Sequence, residues 1–170
     1  MAKKTLALAF FLLSACVLSA AKCVPGLEIM SGVSYCSIER SQSISIASLT
    51  GVELLLEREG KMSFSVSLGM EGVHSLLNLS RFSSAGDYKG LYVKAGISDL
   101  FLSFNAGVLL IVPEAYSGSV IPAFVSDAVL KKDAHLGENF VLRAGAGVSV
   151  VLGRSFRSYR VIFGVMGLWR

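Results

Sequence analysis

The residues of this chain with the types for chemistry are few: two histidines, three cysteines and a thin scatter of carboxylates. His74 and Ser75 are adjacent, the nearest approach to a nucleophile with its base. A serine hydroxyl becomes a useful nucleophile only when an imidazole within hydrogen-bond reach takes its proton. Neighbours on a strand point to opposite faces, so this pair works only if it lies in a loop, and no enzyme activity is expected from it. His135 stands among Lys132, Asp133 and Glu138, the composition of a solvated turn. Glu57 and Glu59 flank Arg58 and sit next to Lys61, which reads as a hairpin end and not as a general acid–base pair. The histidines are 61 positions apart and no two cysteines have Cys-x-x-Cys spacing, so neither a metal nor another cofactor is expected.

The cysteines bear on export. Residues 1–21 open with Lys3 and Lys4 and continue as an uncharged, mostly apolar run over 5–20, the pattern of a secretory signal peptide. That run is shorter than the ~20 residues of a spanning helix. Ser19, Ala20 and Ala21 suit ordinary cleavage before Lys22. Leu13, Ser14, Ala15 and Cys16 instead match a bacterial lipobox, in which Cys16 is lipidated. Cys23 and Cys36 survive either route. In an oxidising compartment they suggest a disulfide, against which stands the extended strand between them, which would hold two free thiols far apart.

The elements that position these residues follow from composition and period. The 170 residues are one domain's worth of chain, 53% hydrophobic and only 16% charged, with a mean hydropathy of +0.63. An ordinary soluble domain is roughly 25% charged. Disorder is excluded, since it needs low hydrophobicity and high charge. The net charge of +4 falls to +2 when Lys3 and Lys4 leave with the leader, so no basic footprint for nucleic acid remains. The exported domain is 22–170.

After the leader the period is two. Residues 62–71 alternate without error, with Met62, Phe64, Val66, Leu68 and Met70 on one face and Ser63, Ser65, Ser67, Gly69 and Glu71 on the other. The stretches 140–152 and 159–169 behave alike, the latter keeping Tyr159, Val161, Phe163, Val165 and Trp169 in one register. Eight strands are expected, at about 26–35, 44–56, 62–73, 88–98, 100–112, 122–131, 140–152 and 159–169. Most exceed the ~5–6 residues of a globular strand and suit the ~9–11 tilted residues that cross a bilayer. All 17 glycines lie after position 25, many inside strands, as on the crowded inner wall of a small barrel.

The placement of charge discriminates core from lipid. If the large apolar residues define an outer face, the opposite face takes Glu28, Glu53, Glu71, Lys94, Arg143 and Arg160, three acids against three bases, with Asp127 as a further acid. Apolar residues facing lipid around a charge-paired lumen is the plan of a membrane barrel. The fold class expected is therefore all-β, an antiparallel up-and-down transmembrane β-barrel of about eight strands. The rival is a secreted or lipid-anchored periplasmic barrel holding an apolar ligand, with Phe64, Val66, Val148 and Phe163 turned into a dry cavity.

With its leader, eight alternating strands and nearly terminal aromatic strand, the chain resembles the small eight-stranded bacterial outer-membrane barrels of the OmpW/OmpX type over 27–169. The resemblance is architectural. It implies outer-membrane lipid as the surroundings, insertion by the barrel-assembly machinery, and a surface-exposed or solute-handling role, with a small apolar solute as the conceivable cargo. Such barrels end on an aromatic residue; here Trp169 is penultimate and Gly167 stands where a second hydrophobic residue is expected, so Trp169 also reads as an interfacial anchor. With both termini periplasmic, the outer loops fall at 36–43, 74–87, 113–121 and 153–158. Leu76, Leu77, Leu79 and Phe82 give the second of these an apolar patch.

Overall fold

A computed structural model describes residues 22–38, 41–57, 62–79, 87–99, 101–114, 120–154 and 156–169. Eight strands account for nearly all of them: β1 Lys22–Ile38, β2 Ser41–Glu57, β3 Ser63–Asn78, β4 Tyr88–Ser98, β5 Leu102–Pro113, β6 Ile121–His135, β7 Phe140–Gly153 and β8 Phe156–Trp169. Each pairs antiparallel with the next, and β8 closes on β1 from Gly26↔Leu168 to Ile38↔Phe156. Closure leaves no sheet edge along the wall, which satisfies the backbone polar groups without water. The leader and Cys16 lie outside the described residues.

The strands overrun their expected ends, because alternation continues through polar residues that read as loop. β3 runs to Asn78, with a bulge where Ile44 pairs with Leu77 and Ser45 with Ser75. The extra residue, Leu76, joins Leu77 on the outside. Phe82 lies outside the described residues. β6 carries Lys131 and Asp133 inward and ends at His135, so the expected turn at 132–139 shrinks to 136–139. Gly137 supplies the left-handed backbone there, with φ of 98°. At the same end, Asp99 Oδ1 accepts the N–H groups of Phe101 and Leu102, both at 2.7 Å, closing the β4–β5 connection. Those two bonds hold its carboxyl below the usual carboxylate range.

The two faces of the wall differ in kind. Outward-facing Leu27, Ile29, Val33, Val52, Leu54, Phe64, Val66, Leu68, Leu91, Val93, Val108 and Val161 are all exposed. The interior packs Leu49, Val73, Tyr88, Tyr92, Leu109, Ile111, Val125, Val151, Phe156 and Ile162 into one cluster. A smaller cluster of Val24, Leu55, Val141 and Leu168 closes the end that carries the chain termini. The lumen is thus more apolar than charge placement alone implied. Its charges are set into a packed core.

Candidate functional site

The inward positions of alternating strands bring the charged residues together in three tiers. Farthest from the termini, Arg160 makes a bidentate pair with Glu71, Nη2 to Oε1 at 2.6 Å and Nη1 to Oε2 at 2.8 Å, with both side chains 1% exposed or less. The Tyr88 hydroxyl sits between them, donating to Glu71 and accepting from Arg160. Its ring meets Phe156 edge-on at 5.1 Å. Arg160 Nε donates to Ser158 at 3.1 Å. A buried guanidinium with its fork satisfied in this way offsets a desolvation cost that an unpaired one could not.

In the middle tier Lys94 Nζ lies 2.6 Å from Asp127 Oδ2 and 4.4 Å from the ring centroid of Tyr92. The Tyr92 hydroxyl donates to Glu28 at 3.3 Å. This ring lies along the wall over β3 and β2 because Gly69, its cross-strand partner, and Gly51 leave room for it; a Cβ at either would overlap the phenol oxygen. Nearest the termini, Arg143 donates to Asp133 from Nε and Nη2 at 2.7 and 2.8 Å. Lys131 donates to Ser98, and Ser65 to Asn105 at 3.2 Å. Between these tiers remains a cavity of about 40 Å³, lined by Glu28, Glu53, Ser67, Ser98, Lys131 and Arg143 among others. It has room for a few waters only.

Glu28, Glu53, Glu71, Lys94, Arg143 and Arg160 all face inward. Of the six, only Glu71 and Arg160 pair with each other. Lys94 takes Asp127 and Arg143 takes Asp133. Glu53 and Glu28, the latter accepting from Tyr92, make no ion pair within 4 Å among the described residues. Tyr88, Tyr92, Lys131 and Asp133 were missed from sequence. The signal was present: Tyr88 and Tyr92 share the parity of Lys94, and Lys131 and Asp133 that of Asp127.

Three alternatives raised from the sequence find no support in the geometry. Cys23 and Cys36 are free thiols. They stand on one strand thirteen residues apart, ~43 Å at ~3.3 Å per residue, whereas a disulfide needs Cα atoms within ~7 Å. His74 and Ser75 both lie on β3, with His74 exposed outside and Ser75 paired to inward Ser45, so they cannot act together. The dry apolar cavity fails because Phe64, Val66, Val148 and Phe163 stand on the outer wall, 45 to 56% exposed. Among the described residues no group of three or more His, Cys, Asp or Glu could hold a metal.

No protein-family model matches the chain, and no curated protein matches it in sequence. The crystal structure of Neisserial surface protein A (NspA) superposes with a TM-score of 0.53 at 13% identity, covering 84% of this chain and 95% of that one. The fold is that of a small bacterial outer-membrane barrel. Ail, the attachment invasion locus protein of Yersinia pestis, solved with the heparin analogue sucrose octasulfate, gives a TM-score of 0.46 at 11% identity over 87% of this chain and 99% of Ail. Trp169 is half-exposed at the termini end, edge-on to Phe140 at 5.5 Å, while Tyr35 and Tyr159 pair across β1 and β8 toward the other end.

Proposed function

We propose that this protein is exported through its 1–21 leader and resides in the bacterial outer membrane as a surface-exposed structural barrel whose lumen is closed by ion pairs. The single observation that carries the reading is the inverted wall, apolar side chains outward and Glu71–Arg160, Lys94–Asp127 and Arg143–Asp133 inward. The span supports it. Tyr159 and Trp169 face outward ten residues apart on β8, ~33 Å along the strand and ~25 Å in height at a tilt of ~40°, the height of an outer-membrane apolar band. Trp169 then anchors the periplasmic boundary, and the strand ending on it is the segment for the assembly machinery to read.

Eight strands enclose little more than side chains, and the clusters around Tyr88 and Tyr92 fill this lumen. That favours a plug over a channel, and a cavity of about 40 Å³ is too small for an apolar solute. Carbonate extraction of membranes from cells expressing the full chain tests the location. The protein is expected in the pellet, with faster migration on gels before boiling than after. Release into the soluble fraction without detergent would overturn the reading. In planar bilayers the purified barrel is expected to give no steady open-channel current.

A further inference from the structure

Two carboxylates in the lumen have no cation of their own. The inward charges pair as Glu71 with Arg160, Asp127 with Lys94 and Asp133 with Arg143. Between those tiers Glu28 and Glu53 stand against Lys131 alone, one negative charge in excess among the described residues. Lys131 turns its ammonium to Ser98 and makes no ion pair with either carboxylate. A buried charge without a partner is costly. All three line the cavity of about 40 Å³, and so does Ser67. Ser67 is only 6% exposed, yet its hydroxyl makes no hydrogen bond with the described residues. The register explains why these groups converge. Ser67 is the direct cross-strand partner of Glu53, and Glu28 lies diagonal to Glu53 through Gly26↔Glu53 and Glu28↔Gly51, both spacings that long side chains bridge. Lys94, the neighbour of Ser67 on β4, directs its ammonium away to Asp127 at 2.6 Å. Glu28 gives only Oε2 to the Tyr92 hydroxyl, at 3.3 Å.

We propose that this cavity binds one monovalent cation, held by the carboxylates of Glu28 and Glu53 and the hydroxyl of Ser67. Oxygen donors of this kind suit hard cations. The charge decides the valence. One positive charge balances the excess, whereas a divalent ion would bring a surplus against Lys131 and Arg143, which line the same cavity. An anion would face two carboxylates. The room also fits, since one water needs ~10–15 Å³ of such space and the cavity therefore takes a small cation with about two waters. The cluster of Val24, Leu55, Val141 and Leu168 closes the barrel on the termini side of the site, so the ion is a fixed part of the plug and not a permeant one. The site belongs to the lumen and does not depend on what the outer wall faces.

The test uses the full barrel folded in an uncharged detergent at mildly alkaline pH, in sodium chloride or in choline chloride, whose cation is too large for the cavity. At about 100 mM salt the equilibrium constant for urea unfolding is expected to be about tenfold lower in sodium, the linkage for a dissociation constant of about 10 mM. Glu53→Gln removes the excess charge and should make the two salts equivalent. Ser67→Ala keeps the charge but loses a donor, and should shrink the difference; it serves if Glu53→Gln does not fold. Ser126→Ala, outward on β6, should leave the difference intact. In crystals grown with thallium(I) in place of sodium, one anomalous peak is expected in the cavity, against Glu28, Glu53 and Ser67. Equal unfolding of the wild type in the two salts, which is the result if a proton takes the place of the cation, would overturn the proposal. So would an undiminished difference in both Glu53→Gln and Ser67→Ala, or a cavity without the thallium peak. Protein soluble without detergent would overturn the outer-membrane reading and leave the ion site standing.

Discussion

Lys94 Nζ meets Asp127 Oδ2 at 2.6 Å inside the barrel, across two strand-to-strand steps, with both side chains 2% exposed or less. Removing one partner leaves a charge with no solvent, a loss of about 3–5 kcal/mol, whereas replacing both by apolar groups of similar size is often neutral. Lys94→Met is therefore expected to be strongly destabilising, and Lys94→Met with Asp127→Leu to recover most of the loss. Urea unfolding of the two single variants and the double, in lipid vesicles, closes the cycle. Equal loss in the single and double variants would place the cost in packing and not in charge.

Charge on the outer wall should be penalised by depth. Met70 is outward and mid-strand, while Met62 lies just before the start of β3. Arginine facing mid-bilayer costs about 2–4 kcal/mol and near an interface about 0–1. Met70→Arg should fold far less efficiently into vesicles than Met62→Arg, read as the heat-modifiable fraction. Equal yields would mean that the wall does not face hydrocarbon.

The Asp99 turn gives a pH dependence of definite sign. Its folded carboxyl titrates below its ordinary value of 3.8, so the stability it adds is complete above that value and disappears as pH falls through the folded one. Asp99→Asn keeps an acceptor but cannot titrate. The wild type should exceed it in stability at neutral pH, and the difference should close in strong acid. A gap unchanged in strong acid would sever the link to Asp99.

Trp169 is the chain's one tryptophan and reports its own depth. Its fluorescence should be quenched more by lipids brominated near the headgroup than by those brominated near the chain terminus. The reverse order would remove it from the interface.

The thiols should behave separately. Cys23 is exposed, and Cys36 is buried between Ser34 and Ser158 at 3.4 Å from each. In the folded barrel a maleimide should label Cys23 promptly and Cys36 only after unfolding, with mass spectrometry showing no bond between them.

Much of the architecture was legible because a strand's two faces are written directly in residue parity. Once the large apolar residues define one face of β3, Glu71 has to lie on the other, and the same holds for Lys94, Arg143 and Arg160. Strand ends were harder. Lys131 and Asp133 sit in a charged run that resembles a turn, and only the pairing of β6 with β7 down to His135↔Val141 extends the ladder through them.

By itself the sequence determined the period, the number of strands and the face of Glu28, Glu53, Glu71, Lys94, Arg143 and Arg160, since these depend on neighbours along the chain. Only the tertiary structure decided which charges meet, because partners such as Arg160 and Glu71, 89 positions apart, are joined by barrel closure and strand stagger and not by spacing. The same closure put Tyr92 over Gly51 and Gly69. It also gathered Glu28, Glu53 and Ser67 from three separate strands. Register is a property of pairs of strands, and no single strand contains it.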